Sequence, residues 1–250
     1  MSRRVLTALP VYNEVAHVDD VLDEVLRYCS DVLVVDDGST DGTAELLARR
    51  GDIQLVRHSQ NRGYGAALAT AFDQAISANY DVLVSIDCDG QHEPQRIPRF
   101  VAACGDQADI VSGSRYLKRY EGDSEAPAAR RRINQQITAE LNRRLCLQLT
   151  DAFCGFKAYY VPSLKRLQPS EAGYAMPLEL WVQAAAAGLR IVELPVPLIY
   201  LDEKRSFGGA LDEAATRLEY YHLVLDRSLA AIGVPAGEIW SGTLCGEAAG

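Results

Sequence analysis

Two carboxylates, Asp87 and Asp89, close the apolar run Val82–Ile86. Side chains alternate along an extended chain, so the pair should point the same way. A buried strand ending in paired like charges is costly unless a cation sits between them. A hard divalent metal is the usual solution, because it takes oxygen ligands and can hold a diphosphate. Gln91 adds a third oxygen at the same alternation. The competing reading is a polar turn after a core strand, and a D-x-D spacing alone does not separate the two.

The elements around this pair are legible from their periodicity. Val5–Leu9, Val32–Val35, Ile53–Val56 and Ile110-Val111 read with Val82–Ile86 as short buried strands. Between them, Val18, Val21, Leu22 and Val25 recur at helical spacing. Asp41 suits the N-cap of a helix running to Ala48, Ala66–Ala78 reads as an Ala-rich helix, and Pro94 suits a first helical turn. Continuous β-branched runs alternating with helices indicate a single α/β domain, with a parallel sheet covered on both faces. Ligands of such sheets bind beyond the carboxyl ends of the strands. Pro10–Glu14, Asp36–Asp41 and Asp87–His92 all fall at such ends, which predicts one shared site.

The second half is less regular. Tyr116–Ala129 reads as a mobile polar loop. Ile133, Ile137, Leu141 and Leu145 form an apolar helical stripe flanked by Arg130, Arg131, Arg132, Arg143 and Arg144. Phe156–Val161 and Ile191–Leu194 read as strands, Leu178–Ala187 as a helix, and Asp212–Leu229 as a final helix with Leu218, Tyr221, Leu225 and Leu229 on one face. The domain is expected to occupy residues 1–232, with 233–250 as a poorly ordered tail. The helix from Ile133 suits either an anionic membrane surface or packing on the sheet, and the final helix is expected to pack on the sheet.

The net charge of −9 argues against a nucleic-acid partner. Six scattered cysteines without a C-x-x-C spacing fit buried thiols in a reducing compartment better than a disulfide frame. An apolar run starting at Val5 leaves no room for a signal peptide, and no stretch approaches a membrane span. A cytoplasmic protein, at most peripheral on the membrane, is the expectation.

Pro10-Val11-Tyr12-Asn13-Glu14, Val34–Thr43, Asn61-Arg62-Gly63-Tyr64-Gly65 and Asp87–His92, continued by Gly113-Ser114-Arg115-Tyr116, occur in the order and spacing of family 2 glycosyltransferases. The chain resembles that family over roughly Leu6 to Leu229. It most resembles the members that use polyprenyl phosphates, such as dolichol-phosphate mannose synthases. The resemblance implies a GT-A fold, a GDP- or UDP-sugar donor and transfer with inversion. It places Pro10, Tyr12, Glu14 and Asp37 around the nucleotide, and Mg²⁺ or Mn²⁺ on Asp87, Asp89 and Gln91 against the diphosphate. Arg115 and Arg131 match arginines that bind the acceptor phosphate, a pairing that suits guanidinium forks. Asp151, in Asp151–Phe156, matches a segment lining the catalytic pocket, as an acceptor-side or structural residue. His92 is an outer-shell candidate or a structural residue.

Two points cut against a simple transfer of roles. Gly63-Tyr64-Gly65 suggests a dinucleotide loop, but Leu68 replaces the third glycine and the motif is far from the first strand. Leu201–Gly209 keeps Ser206 and its glycines but lacks the family's following Lys, leaving Lys204 or Arg205 to supply the charge from a shifted position. Two alternatives follow. One is a soluble hydroxyl acceptor, for which Asp151 would be the general base. The other is a nucleotide-sugar-binding protein without turnover.

Overall fold

The structure, a computed structural model, describes residues 3–201, 209–235 and 237–240. The elements run β1 (Val5–Val11), α1 (Val18–Leu26), β2 (Val32–Asp36), α2 (Thr43–Leu47), β3 (Gln54–Arg57), α3 (Tyr64–Ser77), β4 (Val82–Ser85), α4 (Ile97–Ala103), β5 (Ile110–Ser114), α5 (Ala128–Leu145), β6 (Lys157–Tyr160), the short α6 (Val161–Leu164), α7 (Met176–Ala186), β7 (Ile191–Pro195) and α8 (Ala214–Ala231). The sheet order is β3-β2-β1-β4-β6-β5-β7.

Strand alternation divides the core into two layers. Leu6, Ala8, Leu33, Val35 and Leu83 pack with α3, α5, α7 and α8. Leu9, Val11, Val32, Val34, Val82 and Val84 pack with α1 and α4 on the other face. Strands buried on both sides need apolar residues at every position, which is why these runs lack polar alternation.

The expected parallel sheet has one exception. β6 lies antiparallel to both β4 and β5, whereas β7 returns parallel to β5. The reason lies in the chain's route: residues 151–156 begin at the carboxyl ends of the parallel strands, so β6 can only run back. Asp41 acts one residue earlier than a formal cap. Its Oδ1 accepts from the Thr43 amide at 3.0 Å, and Gly42 turns the chain at φ +101°.

Two expectations change and one open alternative is decided. The segment Tyr116–Ala129 is held in place: Asp123 accepts from the Tyr120 and Leu198 amides, and Ser124 Oγ accepts from the Tyr200 amide. The apolar stripe of α5 is core, with Ile137, Leu141 and Leu145 fully buried, and Tyr221, Leu225 and Leu229 of α8 are buried too. Neither helix has its stripe available for a membrane surface. Of the expected tail, the described residues up to Trp240 still pack, and 241–250 lie outside the described residues. Val234 is buried, the Trp240 amide donates to the Arg144 carbonyl at 2.9 Å, and Arg144 Nη2 donates to the Pro235 carbonyl at 3.2 Å.

Cys29, Cys88, Cys104 and Cys154 are buried thiols, but Cys146, at the end of α5, is disulfide-bonded, which the spacing of the cysteines did not suggest. Among the described residues no helix is long and apolar enough to cross a membrane.

Candidate active site

The three polar clusters meet. Pro10, Tyr12 and Glu14 after β1, Asp37 after β2, and Asp87, Asp89 and Gln91 after β4 line one cleft of about 560 Å³. β1 lies between β2 and β4, where successive connections leave in opposite directions, and crevices open at such points.

Alternation persists past the end of the β4 ladder. Ile86 and Cys88 are buried in the same layer as Val82 and Val84, while Asp87 and Asp89 face the cleft. Gly90 then turns the chain at φ +71°. Asp87 Oδ1 accepts from the Tyr64 hydroxyl at 3.1 Å, and Oδ2 lies 3.2 Å from His92 Nε2. Burial would raise the Asp87 carboxyl, but the His92 and Tyr64 hydrogen bonds outweigh it and hold it below the usual range. Burial and the Asp87 charge push the Tyr64 phenol well above its ordinary value, so it stays a donor.

Gly155 makes room for this arrangement. A Cβ there would sit 2.1 Å from Asp87 Oδ2 and 2.4 Å from Oδ1. The Asp89 Oδ1 accepts from the Gln91 amide at 3.0 Å. Two carboxylates and an amide oxygen are the hard donors that Mg²⁺ or Mn²⁺ takes. Among the described residues no cluster of three His, Cys, Asp or Glu forms. The side chains therefore offer an open, partial set that diphosphate oxygens would have to complete.

Asp37 is almost fully buried and committed within the protein. Oδ1 accepts from the Arg62 amide at 2.9 Å and lies 2.6 Å from His58 Nδ1; Oδ2 accepts from the Gly63 amide at 2.7 Å. Although it lines the cleft, its hydrogen bonds hold the Asn61–Gly63 turn.

The other half of the cleft is formed by Arg115 and Tyr116 after β5, Arg130, Ile133 and Asn134 of α5, Phe153, and Arg217 and Tyr221 of α8. Arg115 forms a fork on Asp151, with Nε to Oδ2 at 2.7 Å and Nη2 to Oδ1 at 2.9 Å. Asn134 Nδ2 adds a bond to Oδ1 at 2.8 Å. Burial would raise the Asp151 carboxyl, but Arg115 and Asn134 drive it far below the usual carboxylate range. A fully buried carboxylate so strongly held as an anion is a poor proton acceptor.

The arginine register differs from the expectation. Arg130 lines the cleft, whereas Arg131 lies over the Tyr116 ring, 3.5 Å from its centroid, and is not part of the lining. Lys204, Arg205 and Ser206 lie outside the described residues.

Sequence reading missed Tyr64, Asn134, Arg130 and Arg217. Arg217 had a signal, since it shares a helical face with Tyr221 and Val224 and is itself only 4% exposed. Tyr64 stood between two glycines, and nothing in one dimension linked it to Asp87.

A mostly parallel sheet whose strand ends enclose such a cleft, with a D-x-D pair on its wall, defines a glycosyltransferase of the GT-A class. The family model described as Glycosyl transferase family 2 matches residues 7–168, and the chain belongs to that family. It is 32% identical over 233 residues to undecaprenyl-phosphate mannosyltransferase of Micrococcus luteus, covering 88% of this chain and 94% of that one. It is likewise 32% identical over 207 residues to polyprenol monophosphomannose synthase of Mycolicibacterium smegmatis, covering 78% and 77%. Among solved structures, glucosyl-3-phosphoglycerate synthase from Mycobacterium tuberculosis, in complex with Mn²⁺, UDP and glucosyl-3-phosphoglycerate, is similar in fold. The TM-score is 0.68 at 22% identity, over 94% of this chain and 82% of that one.

Gly155→Ala should lower stability by about 1–3 kcal/mol in urea unfolding, as overpacking does. Adding Asp87→Ala should recover most of that loss, because the two groups share one space. The second prediction concerns acid. A carboxylate depressed in the folded state stabilises above its unfolded pKa, near 4, and loses that contribution as pH falls through the folded value. Asp151→Asn should therefore flatten the loss of stability below about pH 4. At neutral pH it should cost about 3–5 kcal/mol by leaving Arg115 without its counterion.

Proposed function

We propose that this glycosyltransferase moves a sugar from a GDP- or UDP-sugar to a polyprenyl phosphate, with inversion at the anomeric carbon and Mg²⁺ or Mn²⁺ held by Asp87, Asp89 and Gln91. One observation carries the acceptor assignment: the half-cleft opposite the D-x-D pair joins Arg115, Arg130 and Arg217 to the apolar surface of Tyr116, Ile133, Phe153 and Tyr221. Arginines suit a phosphate head, and an aromatic trough suits the first isoprene units. The names of both bacterial relatives, an undecaprenyl-phosphate mannosyltransferase and a polyprenol monophosphomannose synthase, point to lipid phosphate acceptors, which supports the same reading. The complex of the fold relative with both Mn²⁺ and UDP supports the metal assignment.

In the reaction, an acceptor phosphate oxygen forms the bond to the anomeric carbon while the bond from that carbon to the diphosphate oxygen breaks. The electron pair leaves with the nucleoside diphosphate. A bound metal would neutralise the charge that accumulates there. Pro10, Tyr12 and Glu14 flank the nucleotide, and Asp37 supports it by holding the Asn61–Gly63 turn. Arg115 is oriented by Asp151, and Arg130 presents its guanidinium to the acceptor anion, with Arg131 bracing Tyr116. A phosphate already ionised at neutral pH needs no strong base. A hydroxyl acceptor would need one, and the buried Asp151 is unsuited to that task.

Contact with the cytoplasmic face of a membrane would then involve the rim of the cleft. Leu117, 46% exposed, follows Tyr116 and precedes Lys118 and Arg119, and Leu201, 60% exposed, follows the lining residue Tyr200.

Labelled GDP- and UDP-sugars incubated with polyprenyl phosphate in vesicles, then partitioned into organic solvent, test the reading. Label should enter the lipid phase with the wild-type chain. Asp89→Ala should abolish it while leaving the metal-free melting temperature unchanged; full transfer by that variant would remove the metal assignment. Arg130→Ala should raise the acceptor KM by roughly 10–100-fold, the loss of a charge-assisted hydrogen bond. Arg131→Ala should raise it less. The reverse ranking would put the phosphate on the Arg131 side of Tyr116.

A further inference from the structure

The Tyr64 side chain has no role in the chemistry above, although it lines the cleft and the fold commits several segments to it. A Cβ at position 63 would lie 2.4 Å from the Ala172 carbonyl oxygen, and one at position 65 would lie 2.2 Å from that of Glu171. Both glycines let the 171–172 backbone lie directly on the start of α3, where the Ala66 amide donates to the Ala172 carbonyl at 3.1 Å. From the other side, Asp37 holds the Gly63 amide at 2.7 Å. The intervening Tyr64 ring stacks on Tyr174, with centroids 5.8 Å apart and planes 17° from parallel.

The 170–174 segment is secured in turn. Glu179 is buried and accepts from the Ser170 and Glu171 amides, and Glu171 takes bonds from Tyr220 and Arg227 of α8. All of this fixes one hydroxyl, which donates to Asp87 Oδ1. Asp87 lies past the β4 ladder, so strand hydrogen bonds do not orient it. Gly155 removes the wall on one side, and His92 approaches only Oδ2.

We infer that Tyr64 is a positioning residue for the metal-binding carboxylate: its hydroxyl holds Asp87 in the rotamer that meets the cation, and the glycines on either side exist to seat that ring. The inference rests on the metal reading of Asp87 and Asp89. With one bond on each oxygen, the carboxylate keeps a lone pair on each for a cation. Partners that orient a ligating group in this way typically change metal affinity by about 10–100-fold when removed.

Tyr64→Phe keeps the ring, the stack and the glycine contacts and deletes only the hydroxyl. Thermal melting of the wild type and the variant, each with fixed GDP or UDP and increasing MnCl₂, separates the outcomes. The inference expects the Mn²⁺ concentration at half-maximal stabilisation to rise about 10–100-fold in the variant. The metal-free melting temperature should fall by no more than the few degrees that one hydrogen bond to a charged group supplies, and the full nucleotide shift should return at saturating Mn²⁺. An unchanged Mn²⁺ midpoint overturns the positioning role while leaving the metal reading intact. Nucleotide binding that saturating Mn²⁺ does not restore, with a metal-free melting temperature lowered by more than those few degrees, overturns it in favour of a purely structural tyrosine. A wild-type chain that binds nucleotide without any response to Mn²⁺ overturns both readings.

Discussion

Holding a charged carboxylate still beyond the last hydrogen bond of its strand is the constraint that most of this structure serves. Asp87 gains its orientation from three distant places: Gly155, Tyr64 and His92. Each needs support of its own. Gly155 lies in the turn before β6, whose antiparallel course beside β4 brings it under Asp87; Ser85 Oγ donates to its carbonyl at 2.8 Å. Tyr64 depends on Asp37 and on the 170–174 segment. The DDGS turn, the G-Y-G motif and the G-F-K segment are therefore parts of one device, although about 120 and 90 residues separate the last from the other two.

A second buried charge organises the opposite wall. Asp151 and Arg115 form a forked pair that also gathers Asn134, and Glu193 of β7 accepts from the Thr150 and Asp151 amides. Burying an ion pair seldom adds net stability, because desolvation cancels much of the attraction. Its effect here is geometric: it joins the end of β5, the start of α5 and the Asp151–Gly155 turn at one point. Lys157, buried beneath that turn, donates to the Cys154 carbonyl, and burial lowers its pKa. The two walls meet at this short segment, with Asp151 serving one and Gly155 the other.

The cleft divides by chemistry as well as position. Oxygen-rich side chains after β1, β2 and β4 face arginines and aromatic rings after β5 and on α5 and α8. A donor that leaves as an anion and an acceptor that arrives as one need cationic help at separate places, since one cluster serving both would hold them together after reaction. Among the described lining residues the arginines lie on one side of the cleft, and the D-x-D side presents carboxylates; under the proposed reaction those carboxylates would recruit the cation. Under the same proposal the other side would use fixed guanidinium groups, which need no recruitment and keep their charge.

Much of this was legible in one dimension. The strands, most helices and the convergence of Pro10–Glu14, Asp36–Asp41 and Asp87–His92 follow from periodicity and from the rule that ligands bind at strand carboxyl ends. The direction of β6 was not legible, because a strand of four residues reads the same both ways. The stripes on α5 and α8 were visible, but an apolar face suits a core as well as a membrane, and only packing distinguishes them. Arg130 and Arg131 are adjacent letters about 100° apart around a helix, so a one-residue ambiguity decided which guanidinium entered the cleft. The sequence by itself determined the chemical inventory: two carboxylates, a set of arginines and the alternation that points Asp87 and Asp89 the same way, because side-chain direction along a chain is a local property. Only the tertiary structure decided that Tyr64, Gly155 and Asp37 belong to Asp87, because contacts across 20 to 70 residues depend on how the sheet is wound.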